Sequence, residues 1–380
     1  MKILVTGGAG FIGSHLVDRL VAEGHDVRIY DNLEPQVHGN TTPSYLNRDA
    51  EFIQADICDE AMLDKALDGI DIVFHKAAMV GVGQSMYQPL KYTRVNTLGG
   101  ATLLDLLVNK HRDHVKKVIV AASMSEYGEG LYTCSRHGSI KPDLRTEEQL
   151  ARREWDILCP HCGSTLKPMP TPEDTALACS SVYAINKRDH EDYFLTLGKA
   201  FGIPTVALRY FNVYGPRQSL SNPYTGVAAI FISRLKAGNN PVIFEDGEQT
   251  RDFVSVHDIV DANIAVMKDD RAAYDVFNVG SGQSIGIAAL ARLIISTYGS
   301  SAGVDVTNQF RKGDIRHCFG DISKIESRIG WKPRADALPD SCPDRRRPFK
   351  NSASFEKSVL SSHGNIRSGS ADRTVLRDQD

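Results

Sequence analysis

The sequence predicts an α/β protein: a Rossmann-type doubly wound parallel sheet, a smaller mixed α/β substrate lobe and a zinc-ribbon-like insertion. Three observations carry that prediction. The chain opens on an apolar run, Ile3-Leu4-Val5, then Thr6-Gly7-Gly8-Ala9-Gly10, then a helical pattern with Leu16, Val17, Leu20 and Val21 on one side. Apolar runs suited to buried strands next alternate with helical patterns and short loops as far as 117–122, which is how βαβ units read. A stretch with two cysteine knuckles then interrupts the alternation between Ser123 and Tyr183.

Composition narrows the function classes. With 380 residues, 42% hydrophobic and 24% charged, the chain can bury a large core. A formal net charge of −3 gives no electrostatic case for a nucleic-acid or membrane partner. No apolar run is long enough to cross a bilayer and no signal-like segment precedes the first strand, so a cytoplasmic protein is expected. Seven cysteines argue against a disulfide framework and leave room for a metal site.

The glycine loop is the first candidate site. Gly8, Gly10 and Gly13 fit G-x-G-x-x-G, and Gly7, Gly10 and Gly13 fit G-x-x-G-x-x-G. Either spacing lets the backbone turn tightly and lets a pyrophosphate reach the N-terminus of the helix that Phe11 and Ile12 begin. A second strand over 26–30 ends in Asp31, 31 − 13 = 18 positions beyond Gly13, placed to accept hydrogen bonds from an adenosine ribose. The same acid repels a 2′-phosphate, so NAD is expected rather than NADP.

After a polar loop to Asp49, 51–55 reads as a strand leading into Asp56-Ile57, 60–68 as a helix and 71–75 as a strand. Ala77 and Ala78 come next, small enough for a close cofactor or for plain core packing. A long helical pattern over 89–109 carries Asn96, and 117–122 is a continuous apolar strand ending at Ser123. Ligands of doubly wound sheets sit at such strand ends, although a serine there also suits a cap or turn. Tyr183 and Lys187, four apart on a helix, share a face; the ammonium is expected to lower the phenol's pKa from about 10 toward neutrality and make it a general base.

These residues resemble the extended branch of the short-chain dehydrogenase/reductase family, specifically its nucleotide-sugar epimerases and dehydratases. The likeness runs from Met1 to about Arg334 through Thr6–Gly13, Asp31, Asp56-Ile57, Ala77-Ala78, Ser123, Tyr183, Lys187, Arg209-Tyr210-Phe211-Asn212, Arg251-Asp252-Phe253-Val254 and Gly313-Asp314-Ile315-Arg316-His317. The resemblance implies a catalytic Ser123, Tyr183 and Lys187. It also implies NAD held by the glycine loop, Asp31, Asn32, Asp56, Ile57, Ala77, Ala78, Asn96, Tyr183 and Lys187. A nucleotide-diphosphate sugar would then be gripped by Ser125, Asn212, Arg251, Asp314 and Arg316. The arginine fork suits phosphate oxygens; either arginine also suits an ion pair with Asp252 or Asp314. A homodimer through the helices of the nucleotide domain is expected on the same analogy.

The two residues after Ser123 narrow the reaction. Related dehydratases and decarboxylases carry acids at these places, where this chain has Met124 and Ser125, and neither can titrate usefully. Glu126 is one position late and, on an extended segment, should point elsewhere. Reversible oxidation at C4, that is 4-epimerisation, is therefore expected. The alternative is a one-way C4 reductase or dehydrogenase, or a dehydratase of the same family, and a second alternative is a non-catalytic NAD-sensing scaffold.

Between Ser123 and Tyr183 lie Cys134-Ser135-Arg136-His137, a charged helical run over 145–156, and Cys159-Pro160-His161-Cys162-Gly163. Two knuckles offering Cys134, His137, Cys159 and Cys162 predict a structural zinc, with His161 as the alternative to His137. Such an insertion resembles that of a subset of bacterial epimerases that act on dTDP-L-rhamnose. The expected divisions are 1–129 and 173–212 for the dinucleotide domain, 130–172 for the insertion, 213–334 mainly for the substrate lobe, whose boundaries interleave with the first domain, and 335–380 for a polar, mostly disordered tail.

Overall fold

The computed structural model describes residues 1–39, 41–219, 222 and 225–334. The tail expected over 335–380 and part of the loop near Asn222 lie outside the described residues. The strands that the sequence marks as buried become β1 (Lys2–Thr6), β2 (Asp26–Asp31), β3 (Glu51–Gln54), β4 (Ile72–His75), β5 (Lys117–Ser123), β6 (Thr205–Tyr210) and β7 (Asp275–Val279). They lie in the order β7-β6-β5-β4-β1-β2-β3, every pair parallel. Chain order reverses at β1, which has β2 on one side and β4 on the other, so a crevice opens there at the strands' carboxyl ends.

Alternation along each strand feeds two cores. Ile3, Val5, Phe74, Ile119, Val206 and Phe277 face one layer, while Leu4, Val73, Val118, Val120 and Ala207 face the other. Helix α1 (Phe11–Ala22) covers the first layer with Leu16, Val17 and Leu20. Helix α2 (Val182–Phe201) covers the second with Phe194. The Ser181 hydroxyl caps α2 by accepting from the Ala184 N–H at 3.1 Å, and Gly202 ends it in the left-handed region at φ 70°. This capping fixes where Tyr183 and Lys187 emerge.

Three expectations are corrected. The helical pattern over 89–109 is not one α-helix: Pro89–Thr93 and Gly99–Leu106 are α-helical, while Arg94–Leu98 and Leu107–His111 are wider π turns. The 124–127 segment is a 3₁₀ turn capped by Ser123, not an extended strand. Of the charged run 145–156, only Glu147–Ala151 is helical, because Arg145 and Trp155 are drawn inward on either side. Within 213–334, helix α3 (Val256–Lys268), β7 and the helix Ser323–Ile329 return to the central sheet. Ile259, Phe277, Val279 and Ile325 bury their apolar surface in the first core, which the lobe could not offer them.

What remains of the lobe is built from short strands. Thr250–Arg251 lies between Ile285–Gly286 and His317–Cys318, and Asn212–Tyr214 pairs with Phe253–Ser255. The insertion is a three-stranded antiparallel sheet, Leu131–Cys134 at its centre with Gly138–Ile140 and Lys167–Met169 outside. Its own small core holds Tyr132, Ile140, Ile157 and Leu166. Its base is stitched to the lobe where the Gly130 N–H donates to His317 O and the Thr171 N–H to Phe319 O, both at 2.9 Å.

Candidate active site

The glycine cradle is enforced by backbone contact. A Cβ on Gly13 would stand 2.1 Å from the Gly7 carbonyl oxygen, and one on Gly7, which sits at φ 69°, would stand 2.6 Å from the Ala77 nitrogen. The loop therefore touches both the helix it precedes and the end of β4. Gly10 is the N-cap of α1 and brings no side chain to it, so the first N–H groups, from Phe11 onward, stay available to an anion.

Asp31 ends β2 beside this loop. Its carboxylate accepts from Ala9 N–H at 3.1 Å and Leu33 N–H at 2.9 Å. Burial pushes its pKa up while those N–H bonds pull it down. Asn32 donates to Asp56 at 3.3 Å, Asp56 also accepts from Cys58 N–H, and Ile57 is buried. Gly99 lets the helix lie against Ile57: a Cβ there would be 2.4 Å from Ile57 Cγ2. Ala77 and Ala78 are half-buried on the facing wall. Asn96 is fully buried and spends both halves of its amide on the Met79 backbone, at 2.8 and 3.1 Å; it braces that wall from behind. These features fit a dinucleotide: the volume a side chain would fill is kept clear, a helix end is unshielded and a carboxylate stands at the second strand.

Ser123, Tyr183 and Lys187 converge at the end of β5. Ser123 Oγ accepts from the Ser125 N–H at 3.2 Å and the Ser125 hydroxyl at 2.9 Å, and a hydrogen bond from Ser123 lowers the Tyr183 pKa. Lys187, almost fully buried, donates to Ala121 O at 2.8 Å. The expected direction of the tyrosine shift is corrected. Burial dominates and pushes Tyr183 up to about 12, whereas Lys187 is pulled down to about 8 by burial. One of the three N–H groups of the lysine goes to the Ala121 carbonyl. His75 and His190 are also buried behind the site, and burial holds both imidazoles below their ordinary range.

A buried acid lies beneath Ser123. Glu126 is fully buried and accepts from the Ser123 N–H at 2.7 Å, while Arg209 forks onto Glu191 at 2.5 and 2.8 Å and lies 3.7 Å from Glu126. Burial and the neighbouring Glu191 push the Glu126 carboxyl well up. It does point away from the substrate side, as expected, but because a 3₁₀ turn directs it there. Glu126-to-Ser123 spacing matches a capping box, a signal present in the sequence.

On the lobe, Asn212 offers a buried side-chain oxygen with no hydrogen-bond partner among the described residues. Arg251 is half-buried and donates to the carbonyls of Thr250, Arg316 and Ile315 at 2.8, 3.0 and 2.7 Å. It does not pair with Asp252, whose carboxylate accepts from Ser281, Gly282 and Gly320. The Asp314 carboxyl is pushed up by burial and drawn down by Arg251 and Arg311. Arg316 is 2% exposed, and its guanidinium goes to Glu245, Asp246 and Asp156. Arg311, two positions ahead of the Gly313–His317 motif, lies exposed with its guanidinium 4.1 Å from the Phe244 ring centre.

In the insertion, the ligand atoms of Cys134, His137, Cys159 and Cys162 all lie within 4.8 Å of one another. Cys134 Sγ is 3.7 Å from Cys162 Sγ, and His137 Nδ1 is 3.5 Å from the sulfurs of both Cys134 and Cys159. His161 instead packs its ring on His137. The six cysteines among the described residues are all free thiols.

Fold and site together define a dinucleotide-dependent enzyme with a Ser/Tyr/Lys centre and a second lobe for substrate. Residues 3–149 and 161–280 match the NAD dependent epimerase/dehydratase family, and the chain belongs to it. Among its relatives is a dTDP-L-rhamnose 4-epimerase of Burkholderia thailandensis, 37% identical over 341 residues, covering 88% of this chain and 91% of that protein. A putative UDP-glucose 4-epimerase of Methanocaldococcus jannaschii is 32% identical, covering 88% and 94%. The solved UDP-glucose 4-epimerase of Thermotoga maritima, with UDP-glucose, superposes with a TM-score of 0.72 at 33% identity, covering 88% and 94%. Decarboxylases of UDP-sugars are relatives too, at 32% identity in Bacillus cytotoxicus.

Proposed function

We propose that this protein is an NAD-dependent nucleotide-sugar 4-epimerase that works through a transient 4-keto sugar. The observation that carries the reading is the meeting of Ser123, Tyr183 and Lys187 at the end of β5 with Ser125, a residue that cannot act as an acid for elimination, beside them. The cofactor is held by Gly7, Gly10, Phe11, Ile12, Gly13, Asp31, Asn32, Asp56, Ile57, Ala77 and Ala78, with Asn96 behind them, and it supplies a hydride acceptor and donor for C4. Tyr183 takes the C4 hydroxyl proton and later returns it, and Ser123 steadies the oxygen between them. Burial favours the neutral phenol, and the hydrogen bond from Ser123, which lowers the Tyr183 pKa, eases proton removal. Lys187 anchors the end of β5 through Ala121. Ser125 and Asn212 line the sugar side, and Arg251, with Arg311 and Asp314, faces the diphosphate. Arg316 supports Arg251 through its carbonyl.

The dTDP-L-rhamnose/dTDP-6-deoxy-L-talose pair is the first candidate substrate, on the likeness to the Burkholderia enzyme, and a UDP-hexose the second. The four-residue cluster of the insertion suits a structural zinc. A tetrahedral ion with Zn–S near 2.3 Å sets ligand-to-ligand edges of roughly 3.5 to 3.8 Å; three of the six separations, at 3.5, 3.5 and 3.7 Å, match, and all six lie within 4.8 Å. A homodimer in the cytoplasm completes the reading. Leu90, Leu98, Ile185 and Tyr193 stand exposed on neighbouring helices and would be covered by a second copy. Among the described residues no helix is long and apolar enough to cross a membrane.

The test is turnover of dTDP- and UDP-hexoses with no added nicotinamide, monitored by proton NMR. Steady conversion to the C4 epimer supports the epimerase. Conversion that stops after one equivalent per site, with a keto product, identifies the one-way oxidoreductase instead.

A further inference from the structure

A buried ion-pair network distant in sequence from the reacting groups joins the insertion to the lobe. Arg145 forks onto Glu245 at 2.8 and 2.9 Å and donates to the carbonyls of Trp155 at 3.0 Å and Asp314 at 3.1 Å. Arg316 meets the same Glu245 at 3.1 Å, Asp246 at 2.6 and 2.8 Å, and Asp156 of the insertion at 3.3 Å. Glu129, just ahead of the insertion, accepts from the backbone N–H groups of Arg316 at 2.7 Å and His317 at 3.2 Å. The insertion, together with Glu129 at its entry, thus holds the 314–317 segment by its carbonyl, its N–H groups and its guanidinium. The carbonyls of Ile315 and Arg316 are in turn the acceptors that aim Arg251.

We infer that Arg145 and Asp156 are positioning residues for substrate: they set the 311–316 segment, and through it Arg251 and Arg311, in the geometry that receives a nucleoside diphosphate. This rests on the nucleotide-sugar reading above. Arg145 touches neither the cofactor cradle nor Ser123, so its removal acts on substrate affinity and not on the reacting groups. The pairing is buried on both sides, so loss of one partner leaves the others unpaired and lets the segment shift. A bidentate fork is what holds both the carboxylate and the Asp314 carbonyl at once, which a lysine cannot reproduce in full.

The experiment compares wild type with Arg145→Met, Arg145→Lys and Asp156→Asn. It measures dTDP and UDP binding by calorimetry, KM and kcat, bound NAD and melting temperature. Arg145→Met should weaken nucleoside diphosphate binding and raise KM by about tenfold or more, the loss expected when a buried charged partner is removed, with bound NAD and kcat at saturation nearly unchanged. Arg145→Lys should recover part of that affinity, and Asp156→Asn should shift KM in the same direction by about two- to threefold. A folded Arg145→Met protein with wild-type KM and affinity overturns the inference, as does a fall in kcat alone. Should Arg145→Met fail to fold, Asp156→Asn decides, since the Asp156 carboxylate is 59% exposed and dispensable for packing; an unchanged KM there overturns the inference too. Wild-type protein that binds neither dTDP nor UDP overturns the nucleotide-sugar reading itself.

Discussion

Gly7, Gly10 and Gly13 act through the atoms they lack, whereas Arg145, Glu245 and Arg316, spread over 316 − 145 = 171 positions, act through the charges they bring. The cofactor side of the molecule is a steric construction in which backbone touches backbone, as the 2.1 Å clearance at Gly13 shows. The substrate side is an electrostatic construction in which guanidinium groups are aimed by carbonyls and carboxylates from other segments. The first kind of site fails outright where an added Cβ would lodge against backbone, as at Gly7 and Gly13. The second degrades by degrees as partners are removed.

That contrast can be broken at its steric end. Gly13→Ala should have the largest effect: no rotamer relieves a Cβ lodged against a carbonyl, so purified protein should carry no NAD and lose about 3 kcal/mol or more, read by cofactor release and thermal melting. Retention of NAD by that variant would mean the cradle is softer than its contacts imply.

Between the two constructions stand the reacting groups. Tyr183→Phe should keep NAD content and melting temperature while kcat falls on the order of 10²- to 10⁴-fold. An unaltered kcat would remove the phenol from the chemistry.

Lys187 sharpens the comparison through pH. Its folded-state pKa of about 8 lies below the ordinary 10.5, so between those values the unfolded chain holds a proton that the folded one has shed. Stability from this group therefore rises with pH across that window, and the full penalty applies below it. Lys187→Met should flatten the rise in melting temperature of cofactor-free protein between about pH 8 and pH 10.5; equal slopes in both proteins would contradict the burial argument.

The smallest effect is expected at Glu126. Glu126→Gln keeps an acceptor for the Ser123 N–H and replaces an acid whose pKa burial pushes up, so chemical denaturation should register a change under about 1 kcal/mol. Glu126→Ala strands that N–H and should cost about 1 to 3 kcal/mol. A large loss in the glutamine variant would show that the carboxyl is ionised against Arg209.

Much of this was legible in the residues because the constraint is local. A tight turn against a helix start admits only glycine, so the spacing of Gly7, Gly10 and Gly13 carries its own geometry. The place of Asp31 comes from the length of one βαβ step, and that of Tyr183 with Lys187 from the helical period. The cysteine knuckles read for the same reason, since paired ligands must lie a turn apart; the structure added that Nδ1 of His137, and not His161, joins the three sulfurs.

Other features depend on depth and on partners far along the chain, which no spacing records. Whether Tyr183 shifts up or down is set by how much protein covers it and by where Lys187 finds its acceptor. Arg316 reads as a phosphate ligand until Asp156 and Glu245, which lie 160 and 71 positions away, are seen to surround it. Short-range stereochemistry survives in a string of letters; the balance of desolvation against pairing exists only once distant segments have been packed together.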